Sequence, residues 1–222
     1  TINTLGKMCV IWMHGLGDQG SSWSHLEDSV QVPTLTKPIV WKFPTAPVAP
    51  VTCNDGYRMT SWFDIEDIPI SADAKDYPED ISASVRRIHA LVAEAEADGF
   101  SSKEIFVGGF SQGGALSMLT VLQYPRPLGG ALCFSGWLML RPSLASLIQP
   151  ANAKTPIFWG HGSRDNVVEF ALQDIGVAAL RARGVPVETF VCQGAMHSST
   201  PAEIQAMGRF LAAVAAGRTP GS

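Results

Sequence analysis

The stretch IFVGGFSQGGAL, Ile105 to Leu116, decides how this chain is read. Ile105 to Val107 has the apolar character of a buried strand. From Ala115 to Tyr124 the apolar residues suit a short helix, closed by Pro125. Between the two, Gly109-Phe110-Ser111-Gln112-Gly113 fits the pattern GxSxG. Glycine and serine are common, so the pattern alone says little. Its place between a strand and a helix is what a nucleophile elbow requires. There the serine sits in a strained turn, and flanking glycines let strand and helix approach. The N–H groups that follow open a helix N-terminus where an oxyanion is stabilised. The bland alternative is an ordinary glycine-rich strand-to-helix turn.

Outward from the elbow, short apolar runs recur at Met8 to Met13, Ile39 to Phe43, Ala131 to Phe134, Pro156 to Trp159 and Val187 to Val191. Runs of that kind suit strands buried on both faces of a parallel sheet. Helical spacing covers Pro78 to Asp98, Phe170 to Arg183 and Ala202 to Ala216. Strands alternating with helices predict an α/β domain with a mainly parallel sheet, one domain over residues 1–222. The segment Phe43 to Tyr77 breaks the alternation. It holds prolines 44, 47, 50 and 69 but also many apolar residues, and it reads as a long, functional, lid-like loop.

Composition narrows the function. Of the 222 residues, 46% are hydrophobic and 16% charged, against about 25% charged in an average domain. Sixteen basic and twenty acidic residues give a net charge of −4, which leaves no cationic footprint for nucleic acid. High hydrophobicity with low net charge excludes disorder. No apolar stretch is long enough to cross a bilayer, and no signal peptide is visible. Cys9, Cys53, Cys133 and Cys192 lie far apart without metal-ligand spacing. They read as free thiols, mostly buried, in a reducing, cytoplasmic setting. Nothing in the pattern asks for a metal or an organic cofactor.

A serine hydroxyl needs a base, and the base needs an acid to orient it. On an elbow fold the chain order is serine, acid, histidine. Of the five histidines only His161 and His197 follow Ser111. His197, in QGAMHSST, lies just beyond a strand, where active-site residues gather. His161 sits within FWGHG and reads as a packed or turn-stabilising side chain. Asp165 falls in the loop after Pro156 to Trp159; Asp174 is the weaker candidate because it lies inside a helical pattern. The expected catalytic set is Ser111, Asp165 and His197. The glycine-rich HGLGD, His14 to Asp18, follows the first strand and would complete an oxyanion hole through the N–H of Leu16, beside the N–H of Gln112. Its bare GxGxxG spacing would suit a nucleotide, but Asp18 would repel a pyrophosphate and no acidic residue closes the next strand.

Taken together, MHGLGDQGSSW (13–23), FPTAPVAPVT (43–52), SWFDI (61–65), GGFSQGGALS (108–117), SGWL (135–138), GHGSRD (160–165) and GAMHSS (194–199) resemble the acyl-protein thioesterase family, also described as small carboxylesterases and lysophospholipases. The resemblance implies an α/β-hydrolase fold, the triad Ser111, His197 and Asp165, and Leu16 and Gln112 as oxyanion donors. It also implies S-acylated proteins or lysolipids as substrates. The chain departs from the family pattern at Asn166, where many relatives have proline, and at Asn54 to Met59.

An acyl chain needs an apolar groove. Ile65, Ile68 and Ile70 alternate with acidic residues and suit a mobile lid with one apolar face, while Trp137 and Leu138 suit the opposite wall. Trp62 and Phe63 read as packing residues. A short-chain carboxylesterase and a slow-turnover ligand sensor are the competing readings. Any membrane contact would be transient and hydrophobic, and no stable partner is implied, since no basic patch is evident to hold an anionic surface.

Overall fold

The computed structural model describes residues 6–219. Six strands form one sheet: β1 (Met8–Met13), β2 (Ile39–Lys42), β5 (Ile105–Phe110), β6 (Gly130–Phe134), β7 (Ile157–Gly162) and β8 (Val187–Cys192). Their order is β2-β1-β5-β6-β7-β8, and every neighbouring pair is parallel. The expected runs were right in place; Met8 to Met13 matches its strand, Ile39 to Phe43 is one residue too long, and β5 and β7 run on further than expected, to Phe110 and Gly162.

Strand alternation explains why β1 is apolar throughout. Cys9, Ile11 and Met13 face one core, with α2 (Pro78–Ala97), α3 (Gln112–Gln123) and α5 (Ala171–Arg181). Met8, Val10 and Trp12 face a second, with α1 (Leu26–Ser29) and α6 (Pro201–Ala215). A sheet covered on both faces needs apolar residues at every strand position, which accounts for much of the hydrophobic composition. A short α4 (Leu144–Leu147) completes the helices.

The segment Phe43 to Tyr77 is not wholly loop. β3 (Val48–Val51) and β4 (Tyr57–Thr60) pair as an antiparallel ribbon, with left-handed Asp55 and Gly56 in the turn. The Asn54 to Met59 departure thus lies on this turn and its returning strand. From β1 the chain runs first to β2 on one side and then through β5 to β8 on the other. Loops after β1 and β5 therefore part at a crevice over the carboxyl ends of the strands, where open α/β sheets bind ligands.

Candidate active site

Ser111 links β5 directly to α3 at φ 55° and ψ −119°. For a residue with a Cβ this region costs about 1–3 kcal/mol. Its surroundings hold it there: the Ser111 N–H donates to Phe134 O at 2.8 Å, and its carbonyl accepts from the Ala115 N–H at 2.9 Å. The flanking glycines are required by space. A Cβ on Gly109 would lie 2.5 Å from the Gly113 carbonyl carbon, and one on Gly113 would lie 2.4 Å from Met13 O.

His197, on the loop after β8, reaches back to the elbow. Its Nε2 lies 2.9 Å from Ser111 Oγ, and its Nδ1 lies 2.8 Å from Asp165 Oδ2. An ionised carboxylate only accepts, so Nδ1 carries the proton and Nε2 is left to accept from the serine hydroxyl. The Phe110 ring packs against the imidazole at 4.7 Å between centroids. The arrangement can take a proton from Ser111 Oγ and return it to a leaving group.

Asp165 is bound on every side. Its Oδ1 accepts from the N–H groups of Val167 and Val168, both at 2.9 Å. Its Oδ2 accepts from His197 and lies 3.3 Å from Nε2 of His161. Burial opposes the charge, but hydrogen bonds from His161, His197, Val168 and Val167 outweigh it and hold the carboxyl well below the usual range. His161 is fully buried, and its Nε2–H also donates to Val168 O at 3.0 Å. It is packed and turn-stabilising, as expected, yet it also touches the acid, which the sequence reading missed. The loops after β7 and β8 are further tied by Arg164 N–H to Ala195 O and Ser163 N–H to Cys192 O. Asn166 is exposed, and Asp165's own bonds to residues 167 and 168 set the turn. Asp174 is exposed on α5.

The loop after β1 lies over the serine, and a Cβ on Gly15 would meet Ser111 Cβ at 3.4 Å. His14 holds this loop. Its Nδ1–H donates to Gly15 O at 2.6 Å, and Nε2 accepts from the Ala46 N–H at 3.0 Å. Burial lowers its pKa, in keeping with a neutral ring. The N–H groups of Gly17 and Asp18 are engaged with Thr60 O and Gly15 O. Among the described residues the Leu16 N–H has no such partner. The first N–H groups of α3, beginning with Gln112, lack intrahelical acceptors by the geometry of a helix start. The Gln112 side chain points elsewhere: Oε1 accepts from the Trp62 N–H, while Nε2 donates to Ser61 Oγ and Phe63 O. It fastens the Ser61–Phe63 segment to the elbow.

A cavity of about 260 Å³ opens beside Ser111 and His197. Ile65, Ile68, Ile70 and Trp137 line it, with Leu16, Trp23, Phe110, Val167 and Val168 in addition. Leu138 does not line it. That side chain is buried against α5, where Gly176 leaves room for it. The three isoleucines of the lid-like segment differ in exposure. Ile65 and Ile70 are buried, and Ile70 is pinned to the acid loop by its N–H to Val167 O (2.7 Å) and its carbonyl from Glu169 N–H (3.0 Å). Only Ile68, 47% exposed, forms a free lip. Trp62 and Phe63 are buried as packing residues, with the Trp62 indole N–H donating to His14 O.

A parallel sheet with a strained serine at the carboxyl end of a central strand defines an α/β-hydrolase, and the chain is a serine hydrolase of a kind that acts on esters or thioesters. More particularly, residues 5–215 match the phospholipase/carboxylesterase family, and the chain belongs to it. It is 41% identical over 200 residues to a probable carboxylesterase of Oryza sativa subsp. japonica, covering 89% of this chain and 74% of that protein. It superposes on the crystal structure of Arabidopsis thaliana SOBER1 with a TM-score of 0.89, at 33% identity over 94% of this chain and 99% of that one. It also matches Zea mays acyl-protein thioesterase 2 with a TM-score of 0.82, at 30% identity over 97% and 96%. No described helix is long and apolar enough to cross a membrane.

Proposed function

We propose that the chain deacylates esters or thioesters of apolar acyl groups through an acyl-enzyme on Ser111. The observation that carries this reading is the hydrogen-bonded line Ser111–His197–Asp165 opening into an apolar cavity. His197 accepts the Ser111 proton as Oγ attacks the acyl carbonyl, and Asp165 stabilises the imidazolium in one orientation. The N–H groups of Leu16 and Gln112 receive the oxyanion; loss of one such donor typically raises the barrier by about 3–4 kcal/mol. His197 then protonates the departing thiol or alcohol, and water repeats the sequence on the acyl-enzyme. No step calls for a metal or a cofactor. His161 orients Asp165 and touches no substrate.

The acyl chain enters between Ile65, Ile70, Trp137 and Val168, and a long chain passes Ile68 toward the surface. Long-chain S-acylated proteins or lysolipids are the substrates this reading favours. Cavity size supports a second reading. At about 260 Å³ it lies below the common range of about 300–1,000 Å³ for ligand sites, which favours short acyl groups. A chain-length series of p-nitrophenyl esters, run beside a palmitoylated peptide and lysophosphatidylcholine with Ser111→Ala as control, separates the two. Rising kcat/KM with length and turnover of the palmitoylated peptide support the long-chain reading. Turnover confined to acetyl and butyryl esters replaces it with the short-chain one. Hydrolysis that survives Ser111→Ala removes both.

A further inference from the structure

Glu203 is a second acidic side chain behind the site, and nothing in the mechanism uses it. It stands in the first turn of α6, six residues after His197, and is fully buried. Thr200 and Glu203 cap the helix reciprocally: the Glu203 N–H donates to Thr200 Oγ1 at 3.2 Å, and the Thr200 N–H reaches Glu203 Oε2 at 3.4 Å. The Thr200 hydroxyl also donates to Cys192 Sγ at 3.5 Å. Cys192 ends β8 and Thr200 precedes α6, so these contacts close the base of the loop that carries His197.

The carboxyl is seated on the sheet itself. A Cβ on Gly160 of β7 would lie 2.0 Å from Glu203 Oε1, so the strand leaves the space the carboxyl fills. Oε1 has no hydrogen-bond partner among the described residues. The titratable groups around it are Cys192 on β8 and Cys133 on β6, both thiols that burial pushes upward; β7 places Gly160 against the carboxyl. No lysine, arginine or histidine pairs with it among the described residues. The positive end of α6 favours a carboxylate, but by less than about 2 kcal/mol, whereas an unpaired buried charge costs several. Burial therefore prevails and pushes the carboxyl up to about 8, against the lowering effects of Thr200 and Cys192.

We propose that Glu203 is a positioning residue for His197: seated uncharged against Gly160, it clamps the base of the loop that carries the imidazole, and its ionisation releases that clamp and lowers hydrolysis on the alkaline side. This rests on the assignment of His197 as the base for Ser111. A carboxylate must find water or more donors than the Thr200 N–H and the Cys192 thiol supply. Leaving that seat draws on Thr200, and through it on the three residues that separate it from His197.

The test is the pH dependence of kcat/KM for a p-nitrophenyl ester, corrected for spontaneous hydrolysis, in the wild type, Glu203→Gln and Glu203→Met. The wild-type rate falls reversibly with a midpoint near pH 8. Normalised to about pH 6.5, each neutral variant exceeds the wild type roughly tenfold by about pH 9, because neither side chain ionises. Superimposable alkaline limbs overturn the assignment of Glu203 alone, provided that Ser111→Ala abolishes hydrolysis. Hydrolysis that survives in Ser111→Ala overturns the assignment of the base beneath it. A measurement on the wild type needs no variant to fold. With ¹³C-labelled glutamate, one carboxyl carbon titrates near pH 8, and its absence overturns the proposal.

Discussion

Asp165 and Glu203 are both buried carboxyls, and they stand on either side of His197 along the chain. Asp165 is surrounded by donors: two backbone N–H groups and two imidazoles. Glu203 has one long backbone contact and a weak thiol neighbour, Cys192, while its Oε1 has no hydrogen-bond partner among the described residues. Burial raises both; four donors reverse that for Asp165, and nothing reverses it for Glu203. Burial alone does not decide whether a carboxyl is charged. The number of donors that the backbone turn brings to it does. One arrangement yields an anion that can stabilise an imidazolium, and the other yields a neutral clamp.

The largest effect should come from breaking the first side. Asp165→Asn removes the charge and reverses the tautomer of His197, and kcat should fall on the order of 10⁴-fold with little change in KM, read from steady-state kinetics. A retained kcat would mean that the imidazole needs no anion, and the contrast with Glu203 would lose its meaning. Next in size, His161→Phe keeps the ring that packs against Phe170 but removes the donor to Oδ2. We expect kcat to fall roughly tenfold. The acid limb of the pH profile should move to higher pH, since the freed carboxylate makes His197 more basic. His161→Gln, which restores a donor near Nε2, should recover part of both.

Stability sharpens the comparison with opposite signs. Asp165 titrates lower in the folded chain than in the unfolded one. It contributes stability above about pH 4, lost as pH falls further. Glu203 titrates higher when folded. It stays protonated there while the unfolded chain ionises, so it subtracts stability progressively between about pH 4.5 and about pH 8. Chemical denaturation should show Glu203→Gln gaining on the wild type through that window, by up to a few kcal/mol at the alkaline end. A difference independent of pH would remove the neutral-carboxyl account. The smallest expected effect lies at the cavity lip. Ile68→Asp should lower kcat/KM for decanoyl esters several-fold more than for acetyl esters, since each lost methylene contact is worth about 0.8 kcal/mol. Ile70→Asp would instead unfold the lip, because Ile70 is buried and bridges to the acid loop.

Much of this was legible in the residues, for physical reasons. Strands covered on both faces must be apolar throughout, so MCVIWM and the first three residues of IFVGGF could be read from hydrophobicity alone. Strained turns need glycine neighbours, so the elbow announced itself. Loops past strand ends carry His197 and Asp165 as expected from order. The β3–β4 ribbon escaped because Pro47 and Pro50 mask the strand character of VAPV, and a two-stranded ribbon has too little pattern to show through. The contact of His161 with Asp165 depends on the loop curling back within four residues, which hydrophobicity does not encode. Leu138 is apolar like its neighbour Trp137, and only packing against α5 shows which way each faces. For Glu203 a signal existed. Thr200-Pro201-Ala202-Glu203 is a capping-box sequence ahead of an apolar helix, but its burial is set by Gly160, forty-three positions earlier.

In the proposed mechanism Ser111 carries the acyl group during turnover. Mixing the enzyme with p-nitrophenyl decanoate, quenching in acid during turnover and mapping the digested protein by mass spectrometry tests it directly. One decanoyl adduct is expected, on the peptide that contains Ser111, absent from Ser111→Ala and accumulating in His197→Ala only at a greatly reduced rate. An adduct on another residue, or undiminished turnover by Ser111→Ala, would contradict it.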